Sequence, residues 1–221
     1  MEFKTLYTGN ISYLEAVEGS SRWLWGSDFT SGDLYEAEEL YTDHHRIRRN
    51  RLIFVNCEET KVYEPICAKD GQYFGMPVFE DGKLMILLAD FPANEVRIIS
   101  FDPREDSLET EAVISRKDFR DCYNLRLQRD PLLLTRSSGD AFEIIWPYRK
   151  SYVFSATETF CFMREGKMYT SRWYEDPDYR EETLIRDSED GHLIETIPAS
   201  LLMCEGGEWM ILRHDGNDDE N

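Results

Sequence analysis

Imidazole is scarce in this chain: His44, His45, His192 and His214 are its only histidines, few for acid–base chemistry. The cysteines are odd in number and scattered. Cys57 and Cys67 lie ten apart and no Cys-x-x-Cys occurs, so a structural zinc site has no ligands at usable spacing. No glycine-rich loop opens a helix, which leaves nucleotide phosphates without a cradle. Ser20-Ser21, Ser137-Ser138 and Thr157-Glu158-Thr159 lack a nucleophile-elbow context. No apolar run is long enough to span a bilayer, and Met1-Glu2-Phe3-Lys4 leads into polar sequence with no apolar leader. The expectation is a cytoplasmic protein with reduced cysteines, no metal and no cofactor.

Positive charge is also short. Twenty-five basic residues face 44 acidic ones, a formal net charge of −19. A field of that sign repels phosphate backbones and anionic membranes, so neither nucleic acid nor membrane is expected as a partner. Cations or a basic protein surface are more compatible, and the same charge keeps a protein soluble. Arg46, Arg48, Arg49 and Arg51 form the one concentrated basic patch, directly after the acidic stretch Asp33 to Asp43 that it neutralises.

What the chain does have is apolar and aromatic content, 41% and 13%, enough for a packed globule at 221 residues. The clearest pattern runs from Tyr73 to Ser115. Gly75 to Phe79, Leu84 to Asp90, Val96 to Phe101 and Leu108 to Ile114 are four short apolar segments. Between the first two stands Glu80-Asp81-Gly82-Lys83, an Asp-Gly turn between apolar runs and a strong hairpin signal. Four antiparallel strands at this spacing make a meander.

The meander has an echo. Arg164-Glu165-Gly166-Lys167 repeats the turn, with Gly166 falling 84 residues after Gly82, twice 42. Strands Met168–Glu175, Thr183–Asp187 and His192–Ile197 then follow in the same order. Arg51–Asn56 and Lys61–Ile66 form a hairpin. Tyr123–Gln128, Leu132–Arg136, Phe142–Trp146 and Tyr152–Ser155 supply four more strands, and Leu201–Cys204 with Trp209–Leu212 a last hairpin. For residues 33–50 strand is preferred over helix, since the surroundings are strand-like. Yet Leu34, Ala37, Leu40 or Tyr41, His44 and Ile47 also fit one helical face, with Ser31 as N-cap.

This alternation of Asp81-Gly82-Lys83 with a strand, and of Asn50-Arg51-Leu52-Ile53-Phe54 with a hairpin turn, resembles the blades of small β-propeller repeat proteins. The resemblance covers residues 10 to 213 and is one of pattern. No Trp-Asp dipeptide ends a strand and no Gly-Gly pair recurs at a fixed blade position, which leaves the subfamily open. The expected fold is all-β, a propeller-like array of about five blades at about 42 residues each, in a single domain over 1–213. Residues 214–221 are expected to be a disordered acidic tail. Ring closure would pair the hairpin Leu201–Leu212 with a strand near Lys4–Thr8. A β-sandwich or an open array is the competing architecture.

No catalytic motif emerges. Trp23 and Trp25 share a strand face with Asp28 close behind, Trp173 and Tyr174 end the corresponding strand of the echo, and Asp90 ends the one between. Aromatic platforms beside carboxylates suit sugar binding, and strand tryptophans equally suit packing between blades. His44-His45 beside Asp43 offers metal ligands, but on a strand adjacent side chains point to opposite faces. Two functions follow: a non-catalytic binding or scaffold module for a protein or small-molecule ligand, carbohydrate included, or a carbohydrate-active enzyme with a carboxylate pair in an axial pocket. Carboxylates converging in one central pocket, one with a raised pKa, would favour the second.

Overall fold

The structure is a computed structural model that describes residues 3–45, 50–204 and 207–213. Blade 1 contains β1 (Glu15–Ala16), β2 (Trp23–Ser27), β3 (Leu52–Asn56) and β4 (Lys61–Tyr63). Blade 2 contains β5 (Gln72–Phe74) and β6 (Val78–Glu80), which are two pieces of one broken first strand, then β7 (Lys83–Asp90), β8 (Glu95–Asp102) and β9 (Ser107–Ser115). Blade 3 is β10 (Arg126–Gln128), β11 (Leu133–Ser138), β12 (Ala141–Trp146) and β13 (Lys150–Val153). Blade 4 is β14 (Glu158–Arg164), β15 (Lys167–Tyr174), β16 (Arg180–Asp187) and β17 (Leu193–Ile197). A two-stranded sheet, β18 (Ala199–Met203) with β19 (Trp209–Arg213), follows. The chain is a small β-propeller.

Four blades stand where about five were expected, because the last hairpin stays two-stranded. Among the described residues it pairs with nothing near Lys4–Thr8, which has no strand structure, so the anticipated closure is not formed. The two echoed turns share one geometry. Asp81 and Gly82 have φ of 49° and 81°, Glu165 and Gly166 53° and 73°. Two consecutive positive φ values make the type I′ turn whose twist matches the strands it joins.

The packing explains the architecture. Along β7, Leu84, Ile86 and Leu88 face blade 1 and pack with its Trp23, Trp25 and Phe54, joined by Phe74 of their own blade. The alternate residues Met85, Leu87 and Ala89 face blade 3 and meet Leu125, Leu127, Leu134 and Ile145. Period-2 side-chain alternation thus buries both faces of one sheet, which is why Leu84–Ala89 reads as a continuous apolar run. Each such fully buried side chain contributes about 1.5–3 kcal/mol. Blades 3 and 4 meet through Leu133, Phe142, Phe154, Phe160 and Met168, with the Phe142 ring stacked on Phe154 and on Phe160 at 4.9 Å. Burial falls outward, and β9 at the rim is mostly exposed.

The segment preferred as a strand is a helix, α1 (Leu34–Thr42), inserted between β2 and β3. Asp33, not Ser31, caps it: its Oδ1 accepts from the backbone N–H of Tyr35 and Glu36 at 2.9 and 3.1 Å. Ser31 instead lies in a preceding 3₁₀ turn at φ 45°. Leu-Tyr-Glu-Ala-Glu-Glu-Leu is rich in helix formers, and Glu and Ala are poor strand residues. Leu34 and Ala37, one helical turn apart, are buried against blades 2 and 3. Glu38 ties the helix down, accepting from the Arg116 guanidinium and from the Cys122 backbone N–H.

Candidate functional site

The first strands of neighbouring blades touch one another, so they line the axis. Glu18 and Val78 form a parallel bridge, and Phe79 N–H donates to the Glu18 carbonyl at 2.8 Å. Arg129 Nε donates to Glu80 Oε2 at 3.0 Å, and Met163 N–H to the Asp130 carbonyl at 2.6 Å. Arg129 closes this end of the axis. A Cβ on Gly19 of blade 1 or on Gly207 of the last hairpin would run into its guanidinium. Both partners of the Arg129–Glu80 pair are mostly buried, and the Glu80 carboxyl pKa is raised, by desolvation first and by Asp130 and Asp81, against the opposing effect of the Arg129 guanidinium.

Arg126 stands at the other end of the same short strand. Three adjoining cavities share it. One, of about 190 Å³, is lined by Glu15, Glu18, Trp25 and Met76. A second, of about 160 Å³, reaches Asp33 at the start of α1, Cys122 and Asn124. A third, of about 210 Å³, runs into the cleft between blades 3 and 4, where Asn124, Gln128 and Ser137 face Phe142 and Phe160. The break of the first strand in blade 2 at Gly75-Met76-Pro77 is what lets Met76 reach this space. Together these cavities form an axial cup sealed below by Arg129.

Arg126 is exposed, and its Nη2 donates to Gln128 Oε1 at 3.3 Å. Among the described residues it forms no ion pair, in a chain where acids far outnumber bases. Its remaining donors are arranged in a planar fork that matches carboxylate or phosphate. Glu18 is a titratable group that the cup perturbs. Burial raises its pKa, the charges of Arg126 and Arg129 oppose that, and Asp130 adds to it. Deeper between blades 3 and 4, Glu158 is neutralised by Arg186 and is spoken for.

The six residues singled out from sequence do not assemble into one site. Trp23 is 1% exposed and packs on Tyr63 with ring centroids 5.5 Å apart. Trp25 lines the axial cup beside Glu18. Asp28 accepts from the Arg51 backbone N–H at 2.6 Å. Asp90 is buried, taking hydrogen bonds from Gln72 Nε2 and the Ala93 N–H. Trp173 and Tyr174 end β15 in blade 4; the Tyr174 hydroxyl donates to Glu182 at 2.9 Å and Arg180 lies over its ring. Sequence reasoning passed over Arg126, Glu18, Arg129 and Glu80. The available signal was Arg126 between Leu125 and Leu127, a cation alternating with core residues on the first strand of a blade.

His44 and His45 correct another inference. They lie just past the end of α1, where His44 turns the chain at φ 60°, and both line one cavity there instead of pointing to opposite faces of a strand. Of the arginine patch, Arg51 pairs with Glu64 at 2.6 Å; Arg46, Arg48 and Arg49 lie outside the described residues, as does the tail 214–221. In the exposed β16–β17 turn, Asp187, Asp190 and His192 hold ligand atoms within 4.8 Å of one another.

No family model matches the chain, and neither does any curated protein. Solved structures do. The β-propeller domain of the Trilobed protease from Pyrococcus furiosus, described as having an open velcro topology, is similar at 14% identity and a TM-score of 0.43, over 88% of this chain and 60% of that one. Pyrococcus horikoshii acylaminoacyl peptidase is similar at 11% identity and a TM-score of 0.45, over 88% of this chain and 34% of that one. A putative 6-phosphogluconolactonase from Bacteroides uniformis is similar at 12% identity and a TM-score of 0.42, over 94% and 64%. This chain therefore spans less than two thirds of each of them. The likeness is in general architecture, and it transfers no activity.

Proposed function

We propose that the chain is a non-catalytic binding module whose ligand, a small organic anion, enters the axial cup and pairs with Arg126. One observation carries the reading: an arginine with no ion-pair partner among the described residues, at the meeting point of three cavities. A bidentate carboxylate or phosphate would satisfy the guanidinium, with Asn124 and Ser137 beside it and Phe142 and Phe160 as an apolar wall for the ligand body. The setting proposed is cytoplasmic. The five cysteines are free thiols, as a reducing compartment keeps them. Among the described residues no helix is long and apolar enough to cross a membrane.

Calorimetric titration with citrate and with inorganic phosphate, and with acetamide as a neutral control, tests this. Citrate or phosphate is expected to bind, and Arg126→Gln to weaken that binding at least tenfold. Failure of both anions to bind, or equal binding by R126Q, overturns the reading.

A second reading has its own observation. Glu15 and Glu18 line one cavity with Trp25, and the Glu18 carboxyl has a raised pKa, as a general acid in glycoside hydrolysis requires. A nitrophenyl glycoside cleaved by the native chain but not by Glu18→Gln would replace the binding module with a carbohydrate-active enzyme.

A further inference from the structure

Away from the axis, the C-terminal end of α1 and the edge of blade 2 border a cavity of about 450 Å³. Tyr41, His44 and His45 line it from the helix end, Asp70 and Tyr73 from the entry to β5, and Pro92 from the β7–β8 turn. These segments meet because alternate connections of an antiparallel meander fall on the same side of the ring. The insertion after β2, the link into β5 and the β7–β8 turn are all connections of that one side.

Tyr73 is the unusual member. It is 1% exposed, its ring is held between Phe29 and Phe91 at 5.9 and 5.5 Å, and its hydroxyl is buried with no hydrogen-bond partner. Buried hydroxyls are ordinarily partnered, so an orphan at a cavity wall marks a place where a ligand or water completes the count. Tyr73 lines the cavity together with Asp70 and Tyr41. Tyr41 stacks one face on Phe91 at 5.2 Å and 23°, and at 39% exposure it keeps surface open to the cavity. Between them lies Gly71, where a Cβ would stand 2.7 Å from Pro92 and 3.1 Å from the Tyr41 ring. The floor is clear because no side chain grows there.

Asp70, His44 and His45 make no ion pair or side-chain hydrogen bond among the described residues. Among the described residues the donor set is therefore one carboxylate, two imidazoles and a phenol around an aromatic face. That combination recognises hydroxyls and C–H surface: carboxylate and phenol oxygens accept from hydroxyls, imidazoles both donate and accept, and a ring packs its C–H face on Tyr41. We infer that this cavity binds a neutral sugar, with Tyr41 as the platform and Asp70 and Tyr73 as its hydrogen-bonding partners. The volume suits one or two pyranose rings. The site is separate from the axial cup and stands independently of what binds there.

Saturation-transfer NMR and calorimetry with glucose, galactose, mannose and N-acetylglucosamine test it, with putrescine as a cationic control. At least one sugar is expected to bind saturably, and Tyr41→Ala to abolish the signal. Tyr73→Phe keeps the ring and removes only the orphan oxygen, so it is expected to lower affinity about tenfold without lowering the melting temperature. Arg126→Gln is expected to leave sugar binding unchanged. The inference is overturned if no sugar binds, if putrescine binds in place of sugars, if Tyr73→Phe binds as the native chain does, or if Arg126→Gln removes the binding and so locates the sugar in the axial cup.

Discussion

Arg186 grips the Glu158 carboxylate with two parallel hydrogen bonds, Nε to Oε1 at 2.7 Å and Nη2 to Oε2 at 2.8 Å, and the Glu158 side chain is 0% exposed. Thr170 donates a third bond to Oε1 at 2.6 Å. A buried pair so completely satisfied contributes little over an apolar replacement, but breaking it from one side strands a charge. Arg186→Met is expected to cost about 3–5 kcal/mol in urea unfolding. A loss under about 1 kcal/mol would show that water reaches the carboxylate.

The axial cup should respond to pH through Glu18. Its raised pKa means that it takes up a proton above its ordinary value of 4.5. Once neutral it no longer competes for Arg126. Affinity for sulfate, whose own charge is constant in this range, should therefore rise as pH falls towards the ordinary carboxylate value, and Glu18→Gln should flatten the profile. The stability sign follows from the same shift. A raised carboxyl pKa contributes stability below 4.5 that is lost as pH rises through the folded-state value. Glu18→Gln should accordingly be more stable than the native chain at pH 7 and equal to it near pH 4.

Gly19 is required by geometry. Its φ is +90°, and a Cβ there would stand 2.5 Å from the Phe79 carbonyl oxygen as well as against Arg129. A side chain can swing away, but a backbone carbonyl in the bridge between blades 1 and 2 cannot. Gly19→Ala should lose more than about 1 kcal/mol, read from the urea midpoint. Gly139→Ala is the control: its φ is +62°, but a Cβ there meets nothing within 4 Å.

Thiol labelling offers a test of the packing. Cys57 and Cys67 are exposed, whereas burial pushes the Cys161 thiol up to about 12 and the Cys122 thiol higher still. Iodoacetamide at pH 8 should modify Cys57 and Cys67 first, Cys161 more slowly, and reach the buried Cys122 only on unfolding. Rapid labelling of Cys122 would mean that the contact between α1 and the blades opens readily.

Much of the fold was legible because its signals are local. The Asp81-Gly82 and Glu165-Gly166 turns and the apolar run Leu84–Ala89 announce strands without knowledge of their neighbours. Helix α1 was harder, since Leu34, Ala37 and Tyr41 fit a helical stripe while every flanking segment argued for strand; the Asp33 cap decides it. The axial site was not legible. Glu18, Arg126 and Arg129 acquire meaning only when first strands far apart in sequence converge, and 44 carboxylates give no hint of which one is desolvated. His44 and His45 were misjudged because they sit past the end of α1, in a turn with His44 at φ 60°, where neither a strand nor a helix period sets which face a side chain shares.

The broken first strand of blade 2 has a wider consequence. Identical blades would give the channel rotational symmetry, so that one ligand could sit in several equivalent poses. Here the four walls are a two-residue strand, an interrupted strand with Met76 protruding, a three-residue strand carrying Arg126 and a seven-residue strand. The channel is handed, and whatever enters it meets one orientation in which charge, aromatic surface and void all agree.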